Sequence, residues 1–352
     1  MSFLTRVGVA TTTLAASSAA FGGLTFTFTS TGNASADAGF IAAGQLWSNI
    51  FSDNINIRIN AGFTSLGVGI LGSTGSNAAE FSYSQVRTAL TGDSNSADDA
   101  TAVASLPSGN ALTFVTNARD GTYIIDSNGS TNNTTLAVNR ANAKAIGLIA
   151  GNDTSNDASI TFSSNFTFDF DRSDGITGGT YDFVGVAAHE IGHALGFVSG
   201  VDIVDAYSGP SGENQSIDLN GPSTGIGTLD PFAYFSVLDL FRYTTETQAQ
   251  IPDRLDLGYA GTPYLSFDNG ATSVALLSDG NFNGDDQRQA SHWLDSMSLG
   301  IMDPTLSTGE LALIRTVDIR ALDAIGFDVI PEPATISIIA FGAIGALRRR
   351  RD

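Results

Sequence analysis

The sequence predicts an α+β fold in two lobes that meet near Gly196. Before Gly196, segments in which apolar residues alternate with period 2 are interleaved with segments of helical spacing, which indicates a mixed twisted sheet with helices. After Gly196 the periodicity fades into stretches rich in Gly, Ser, Pro and Asp, which indicates an irregular lobe with short strands and one final helix. With 352 residues, of which 42% are apolar, the chain is long enough to bury a substantial core.

The N-terminal lobe, residues 21–196, carries the clearer patterns. A helix is predicted over 36–51, because its apolar residues fall at the spacing of one buried face: Phe40, Ala43, Trp47 and Ile50. Strands are predicted over 24–29, 55–59 and 158–164, helices over 81–90 and 137–148, and surface loops over 91–110 and 126–136.

The C-terminal lobe, residues 197–329, has weaker patterns. Residues 200–232 show little periodicity, and 235–244 is predicted as a strand. A hairpin is predicted from strands at 264–267 and 273–277, joined through Asp268-Asn269-Gly270. A last helix is predicted over 316–325, capped by Thr316, favoured at its positive end by Asp318 and ended by Gly326.

Charge and cysteine content exclude several classes of function. The chain has 36 acidic and 16 basic residues, a net charge of −20, and Lys144 is its single lysine. Nucleic-acid binding requires clustered Lys and Arg, and such a cluster occurs only at the extreme C-terminus. No cysteine is present, which excludes disulfides, thiol catalysis and thiolate metal ligands.

The N-terminus is typical of an exported protein. Arg6 precedes a run of small, mostly apolar residues, and Ser18-Ala19-Ala20 suits a signal peptidase. Residues 1–20 are therefore predicted to be a signal peptide, with a short buried helix as the alternative.

The C-terminal tail, residues 330–352, has three parts in a fixed order. Pro331-Glu332-Pro333 is followed by 14 uncharged, mostly apolar residues at 334–347 and then by the arginines at 348–351. This order resembles the bacterial PEP-CTERM sorting tail. The resemblance implies a Gram-negative-type cell, export to the surface or medium, a transient membrane segment, and cleavage by an exosortase-type enzyme. Because a full crossing needs about 20 apolar residues, the alternative is a marginal but permanent single-pass anchor.

The stretch "GGTYDFVGVAAHEIGHALGF" (178–197) carries the chemistry. It is predicted to form a helix that starts after Thr180, and residues four apart on a helix share a face, so His189 and His193 can hold one metal ion. Glu190 is offset by one position and can act on a zinc-bound water as general base. Gly196 can take a left-handed conformation and end the helix.

The third metal ligand is not adjacent in sequence. A common form of this motif has a histidine ten residues after the first, but here that position is Ser199. Only one other histidine exists in the chain, His292, and it is the predicted third ligand. An acidic ligand, such as Glu213 or Glu246, is the alternative.

Together, "HEIGHALGF", "SHW" (291–293) and "IMDP" (301–304) resemble in order and content the metzincin clan of zinc peptidases, and within it leishmanolysin. The resemblance implies a metzincin-like fold, zinc-dependent endopeptidase activity on a protein or peptide substrate, and a turn that places Met302 beneath the metal. It also implies that strand 158–164 forms the upper edge of the cleft, where a substrate strand can pair; an ordinary core strand is the alternative. The disulfides of leishmanolysin do not carry over, because cysteine is absent.

Two acidic stretches, Asp279–Asp286 and Asp169–Gly175, suggest calcium loops, with solvated turns as the alternative. Two other functions stay open at this point. The tail is also compatible with a non-catalytic cell-surface or biofilm-matrix binding protein whose zinc site is structural or a relic. An amidase or another hydrolase of non-peptide bonds is the third hypothesis.

Overall fold

The computed structural model describes residues 23–117, 122–207, 229–259, 261–295 and 297–331. Within these ranges the architecture is mixed α and β, with several small sheets, so the predicted α+β class is confirmed. The predicted signal peptide and the tail beyond residue 331 lie outside the described residues. No helix in the described part of the chain is long and apolar enough to cross a bilayer.

The strands are β1 (Thr25–Phe28), β2 (Asn56–Thr64), β3 (Gly72–Ser76), β4 (Ala78–Ser82), β5 (Phe114–Asn117), β6 (Tyr123–Asp126), β7 (Thr135–Asn139), β8 (Ala158–Ser163), β9 (Phe168–Asp169), β10 (Tyr181–Asp182), β11 (Arg242–Thr244), β12 (Leu255–Asp256), β13 (Pro263–Leu265) and β14 (Ala275–Leu276). The helices are α1 (Ala34–Ser48), α2 (Tyr83–Asp93), α3 (Ala97–Ser105), α4 (Thr131–Thr134), α5 (Arg140–Ala145), α6 (Phe183–Leu195), α7 (Val201–Tyr207), α8 (Thr245–Gln250) and α9 (Thr316–Ala324), with a 3₁₀ turn at Leu238–Phe241.

The main sheet has the strand order β1-β2-β8-β3. Strands β1, β2 and β8 run parallel, and β3 runs antiparallel to β8, with Thr74 opposite Ile160. Strand β8 is therefore interior, and β3 forms one edge of the sheet. The expectation that 158–164 forms the edge of the cleft is wrong: the edge strand is "GSTGS", whose polar and glycine content shows no apolar alternation.

Helices α1 and α6 pack together over this sheet. The predicted stripe of α1 is confirmed at Phe40, Ala43 and Trp47, which are fully buried, whereas Ile50 follows the end of the helix and is only partly buried. The Trp47 indole N–H donates to the carbonyl of Ala188 in α6 at 2.9 Å, which fixes one helix against the other. Phe183, at the start of α6, packs against a neighbouring ring of β8 with 4.4 Å between centroids.

Several local predictions need correction. Residues 91–110 are not only a loop, since they contain helix α3. The Ser96 hydroxyl caps this helix by accepting from the backbone N–H of Asp99. The helix predicted over 137–148 begins as strand β7, paired with β4, and becomes helical only at Arg140. The 126–136 loop likewise holds α4 and the start of β7, and helix α7 forms within the stretch that shows little periodicity.

The C-terminal lobe contains the predicted hairpin, with β13 and β14 antiparallel. Asn269 and Gly270 lie in its connection with φ of 58° and 78°, the left-handed region that this dipeptide tolerates. The strand predicted over 235–244 is only partly present. Leu238–Phe241 is a 3₁₀ turn, and the buried Asp239 carboxylate accepts from the backbone N–H groups of Ser236 (2.7 Å) and Gly200 (2.8 Å).

The last helix, α9, follows Arg315, which is the capping residue by position, so the cap predicted at Thr316 is wrong. Gly326 follows the helix with φ of 101°, as predicted. One contiguous cluster of buried apolar side chains extends across both lobes, and β12 pairs with β5, so packing is continuous past Gly196.

Candidate metal centre

Helix α6 carries the first two candidate ligands. It begins at the Asp182 cap, whose side chain accepts from the backbone N–H of Gly185 at 2.9 Å. It ends at Gly196, where φ is 132° and a side chain would be strained. His189 and His193 lie one turn apart on the face that looks into a cleft of about 1060 Å³.

The loop before the Met302 turn brings His292 to the same point. The Nε2 atom of His193 lies 3.1 Å from that of His189 and 3.2 Å from that of His292, and the third separation is 3.3 Å. Nitrogens bonded tetrahedrally to zinc at about 2.0–2.1 Å are roughly 3.3–3.4 Å apart, so the three side chains could hold one such ion. Within the described residues this is the one group of three His, Asp or Glu side chains close enough to share a metal.

The opposite ring nitrogens are all engaged by backbone carbonyls. His189 Nδ1 lies 2.7 Å from the carbonyl of Ile301, His193 Nδ1 lies 2.7 Å from that of Phe197, and His292 Nδ1 lies 3.2 Å from that of Gln289. A carbonyl can only accept, so each Nδ1 carries the proton and each Nε2 presents a lone pair to the common centre.

Burial keeps these imidazoles neutral. It lowers the pKa of His193 to about 3, helped by its histidine neighbour, and lowers the pKa values of His189 and His292 as well. Three inward-facing lone pairs on neutral rings are the donor set that a divalent cation requires.

Ser199, at the position of the usual third histidine, has a different role. Its hydroxyl donates to Asp239 at 2.6 Å, and its backbone N–H donates to Ser291 Oγ at 2.9 Å. Ser291 in turn donates to Asp202, whose other oxygen accepts from the backbone N–H of Ala290 at 2.6 Å. The exit of α6 is thereby tied to the segment that presents His292.

Met302 lies beneath the helix, with 1% of its surface exposed. A Cβ atom added to Gly192 would lie 2.4 Å from its sulfur, so the thioether packs in the space left by a glycine between the two helical histidines. The resemblance to metzincins implies this position, and the contact is a packing contact.

The Met302 turn is held by Asp318, a residue whose role the sequence analysis missed. This fully buried carboxylate in α9 accepts from the backbone N–H groups of Ile301 (2.8 Å), Met302 (3.2 Å) and Arg315 (2.7 Å) and from the indole N–H of Trp293 (2.8 Å). The sequence predicts for Asp318 only a favourable charge at the start of the helix. Its contacts connect residues far apart in sequence, so no local pattern indicates them.

Glu190 lies beside the histidines with 5% of its surface exposed. Burial raises its pKa to about 7, although a hydrogen bond from Thr74 acts in the opposite direction. The Thr74 hydroxyl lies 2.6 Å from Glu190 Oε2. A carboxyl group poised near neutrality can both take and return a proton. Thr74 belongs to the edge strand that the sequence analysis did not find.

The alternative acidic ligands do not join the cluster. Glu246 accepts from the backbone N–H of Thr262 at 2.8 Å, and Glu213 lies outside the described residues. Neither acidic stretch suggested for calcium brings three acidic side chains together among the described residues. In the first, Asp279 accepts from the backbone N–H of Asp285 at 2.7 Å, as in a self-closed turn, and calcium stays an unsupported prediction.

Comparison with protein families matches residues 329–351 to the PEP-CTERM protein-sorting motif. The chain therefore carries the sorting signal predicted from its tail, which indicates export, sorting at the bacterial cell surface, and an exosortase-type enzyme as a partner. Val329, the first residue of the match, forms a bridge with Phe51. Neither the curated proteins nor the solved structures contain a match to the chain.

Proposed function

We propose that this protein is an exported zinc-dependent endopeptidase of metzincin type, related to leishmanolysin. The observation that carries the proposal is the convergence of His189, His193 and His292 within 3.3 Å of one another beside Glu190, in an open cleft. A purely structural zinc site is normally closed by a fourth protein ligand, whereas a catalytic site keeps one position open.

The residues of the cleft take distinct roles in this proposal. When bound, zinc supplies a Lewis acid that polarises the scissile carbonyl and a water of lowered pKa. Glu190 removes a proton from the attacking water and then delivers it to the leaving amine nitrogen. The edge strand β3 offers unpaired backbone groups to an extended substrate, which would orient the scissile bond.

The sorting tail adds a cellular setting. We infer a Gram-negative-type bacterium in which residues 1–20 direct export, the apolar segment at 334–347 pauses in the membrane, and an exosortase-type enzyme cleaves near the Pro331-Glu332-Pro333 triplet. The full chain has a net charge of −20, which suits a protein exposed to solvent outside the cell.

Hydrolysis of casein by the purified protein tests the function. We expect activity that is lost on chelation and returns with added zinc, and Glu190→Gln should abolish it while one zinc per chain is retained. Glu80→Gln, at an exposed glutamate of β4, is the matched control and should behave as the wild type. His292→Ala should lose both zinc and activity; full zinc content in this variant would refute the third ligand.

The sorting motif also favours a second candidate, a non-catalytic surface or matrix protein with a structural zinc site. Under that hypothesis the wild type binds zinc but hydrolyses no peptide. Cleavage of small amide substrates but not of peptides would instead support an amidase. A peptide library assayed with wild type and Glu190→Gln separates the three.

A further inference from the structure

The edge strand β3 directs three small residues toward helix α6. Side chains alternate along a strand, so Gly72, Thr74 and Ser76 share one face, and all three positions contact α6. Ser76 Oγ donates to the carbonyl of His193 at 3.1 Å, and Thr74 reaches Glu190. The strand is therefore fastened to the turns of the helix that carry the metal-centre residues.

The Thr74 hydroxyl has two acceptors within reach. Its oxygen lies 2.6 Å from Glu190 Oε2 and 2.9 Å from the backbone carbonyl of the same residue. The hydroxyl can therefore donate to either of these oxygens with no movement of heavy atoms, and in both cases β3 stays fastened to Glu190.

Gly72 leaves room for the other carboxylate oxygen. A Cβ atom at this position would lie 2.6 Å from Glu190 Oε1 and 3.0 Å from the carboxyl carbon, so any side chain would displace the carboxylate. Oε1 has no hydrogen-bond donor among the described residues, whereas Oε2 is held by Thr74. The two oxygens are therefore distinguished: Oε2 is anchored to the strand by Thr74, and Oε1 lies against Gly72.

We propose that Thr74 is a positioning residue that holds Glu190 in the orientation needed for proton transfer, with Gly72 providing the space. This proposal rests on the proposed endopeptidase function. Among the described residues the Thr74 hydroxyl hydrogen-bonds to Glu190 and to none of the three histidines, so its removal should impair proton transfer without loss of metal. Its side chain faces α6, so the backbone groups that a substrate would pair with are unchanged.

The test compares Thr74→Val, which keeps the shape and removes the hydroxyl, with Thr74→Ser, which keeps the hydroxyl. We expect Thr74→Val to lower kcat roughly 10- to 100-fold and to leave KM within about twofold of wild type. This loss is part of the rate enhancement that a well-positioned general base usually contributes. Zinc content, measured by atomic absorption, and Tm should be unchanged. Thr74→Ser should restore most of kcat. Thr88→Val, which removes a threonine hydroxyl from the exposed face of α2, is the control and should leave kcat, KM and zinc content unchanged.

Gly72→Ala provides a second, steric route to the same defect and should also lower kcat with zinc retained. The proposal is overturned if Thr74→Val keeps wild-type kcat, or if Thr74→Ser is no more active than Thr74→Val. If Thr74→Val loses zinc or fails to fold, Thr74→Ala replaces it in the test. A folded Thr74→Ala with full activity would then overturn the proposal. In each of these cases the wild type still hydrolyses peptides. A wild-type protein without chelator-sensitive hydrolysis instead refutes the proposed function, and this role of Thr74 with it.

Discussion

Asp318 offers the sharpest test of how the histidine cluster is held. Its carboxylate accepts four hydrogen bonds between 2.7 and 3.2 Å from three separate segments of the C-terminal lobe. The bond from the Met302 N–H fixes the peptide unit that carries the Ile301 carbonyl, and this carbonyl lies 2.7 Å from His189 Nδ1. Another fixes Trp293, the residue next to His292. The perturbation we choose is Asp318→Asn, which keeps the shape and replaces one oxygen by an NH₂ group.

Each oxygen of the Asp318 carboxylate accepts two of the four hydrogen bonds. Whichever oxygen the NH₂ group of the asparagine replaces, two of the four N–H donors then face another donor. An unsatisfied buried donor costs about 1–3 kcal/mol, so two cost about 2–6 kcal/mol. Burial raises the pKa of Asp318, which means that its charge is costly, and a neutral amide recovers part of that cost. We therefore expect the free energy of unfolding to fall by about 2–4 kcal/mol and zinc affinity to fall about 10- to 100-fold.

Zinc affinity is measured by competition with a chromogenic chelator, and the free energy of unfolding by urea denaturation of the metal-free protein. Asp323→Asn is the matched control: it lies on the same helix and is also buried, but it accepts from Ser96 at 2.7 Å, away from the metal centre. This control should keep wild-type zinc affinity. If Asp318→Asn loses stability but binds zinc as tightly as wild type, Asp318 does not position the histidines. If neither quantity changes, the hydrogen-bond accounting is wrong.

Three further predictions concern the scaffold. Lys144→Met should lower the free energy of unfolding by about 3–5 kcal/mol in urea, because it leaves Asp157 buried without the ammonium 2.5 Å away; a loss below about 1 kcal/mol would contradict the importance of this pair. Gly192→Ala should cost about 1–3 kcal/mol and weaken zinc binding in the chelator assay, because the new Cβ would lie 2.4 Å from the Met302 sulfur; unchanged Tm and zinc affinity would argue against that contact. Burial raises the pKa of Asp53 to about 7 in the folded protein, from about 3.8 in the unfolded chain. The contribution of this group to stability is therefore fully present below pH 3.8 and is lost as the pH rises through 7. The free energy of unfolding should therefore fall between pH 4 and pH 8, and Asp53→Asn should fall less steeply; parallel pH curves for the two proteins would be the opposing result.

Elements with strong local periodicity were predictable. The stripe of α1 and the alternation of β2 each follow from a repeat of 3.6 or 2 residues that marks one face for burial. The end of α6 at Gly196 follows from the backbone freedom of glycine. Prediction failed where the chain used a cap instead of an apolar pattern, as Ser96 does for α3, or where a buried carboxylate such as Asp239 bent an apolar run into a turn.

In the candidate site, too, some features were predictable from the sequence and others were not. The neighbourhood of His189 and His193 follows from the geometry of one helical turn, and the choice of His292 follows from a composition with only three histidines. The edge strand β3 was not predictable, because "GSTGS" has no apolar alternation and gains its place from pairing with β8. Thr74 therefore gave no sign of its contact with Glu190, which lies 116 residues further along the chain.

The sequence by itself determined the candidate donor set, the helix that presents two of the candidate donors, and the sorting tail, because these depend on residue identity and on spacing within a few turns. Only the tertiary structure decided that His292, 99 positions after His193, closes on the other two histidines, and that Thr74 and Asp318 support Glu190 and the Met302 turn. The physical reason is that such contacts depend on how the lobes pack around one shared core, which local periodicity does not specify.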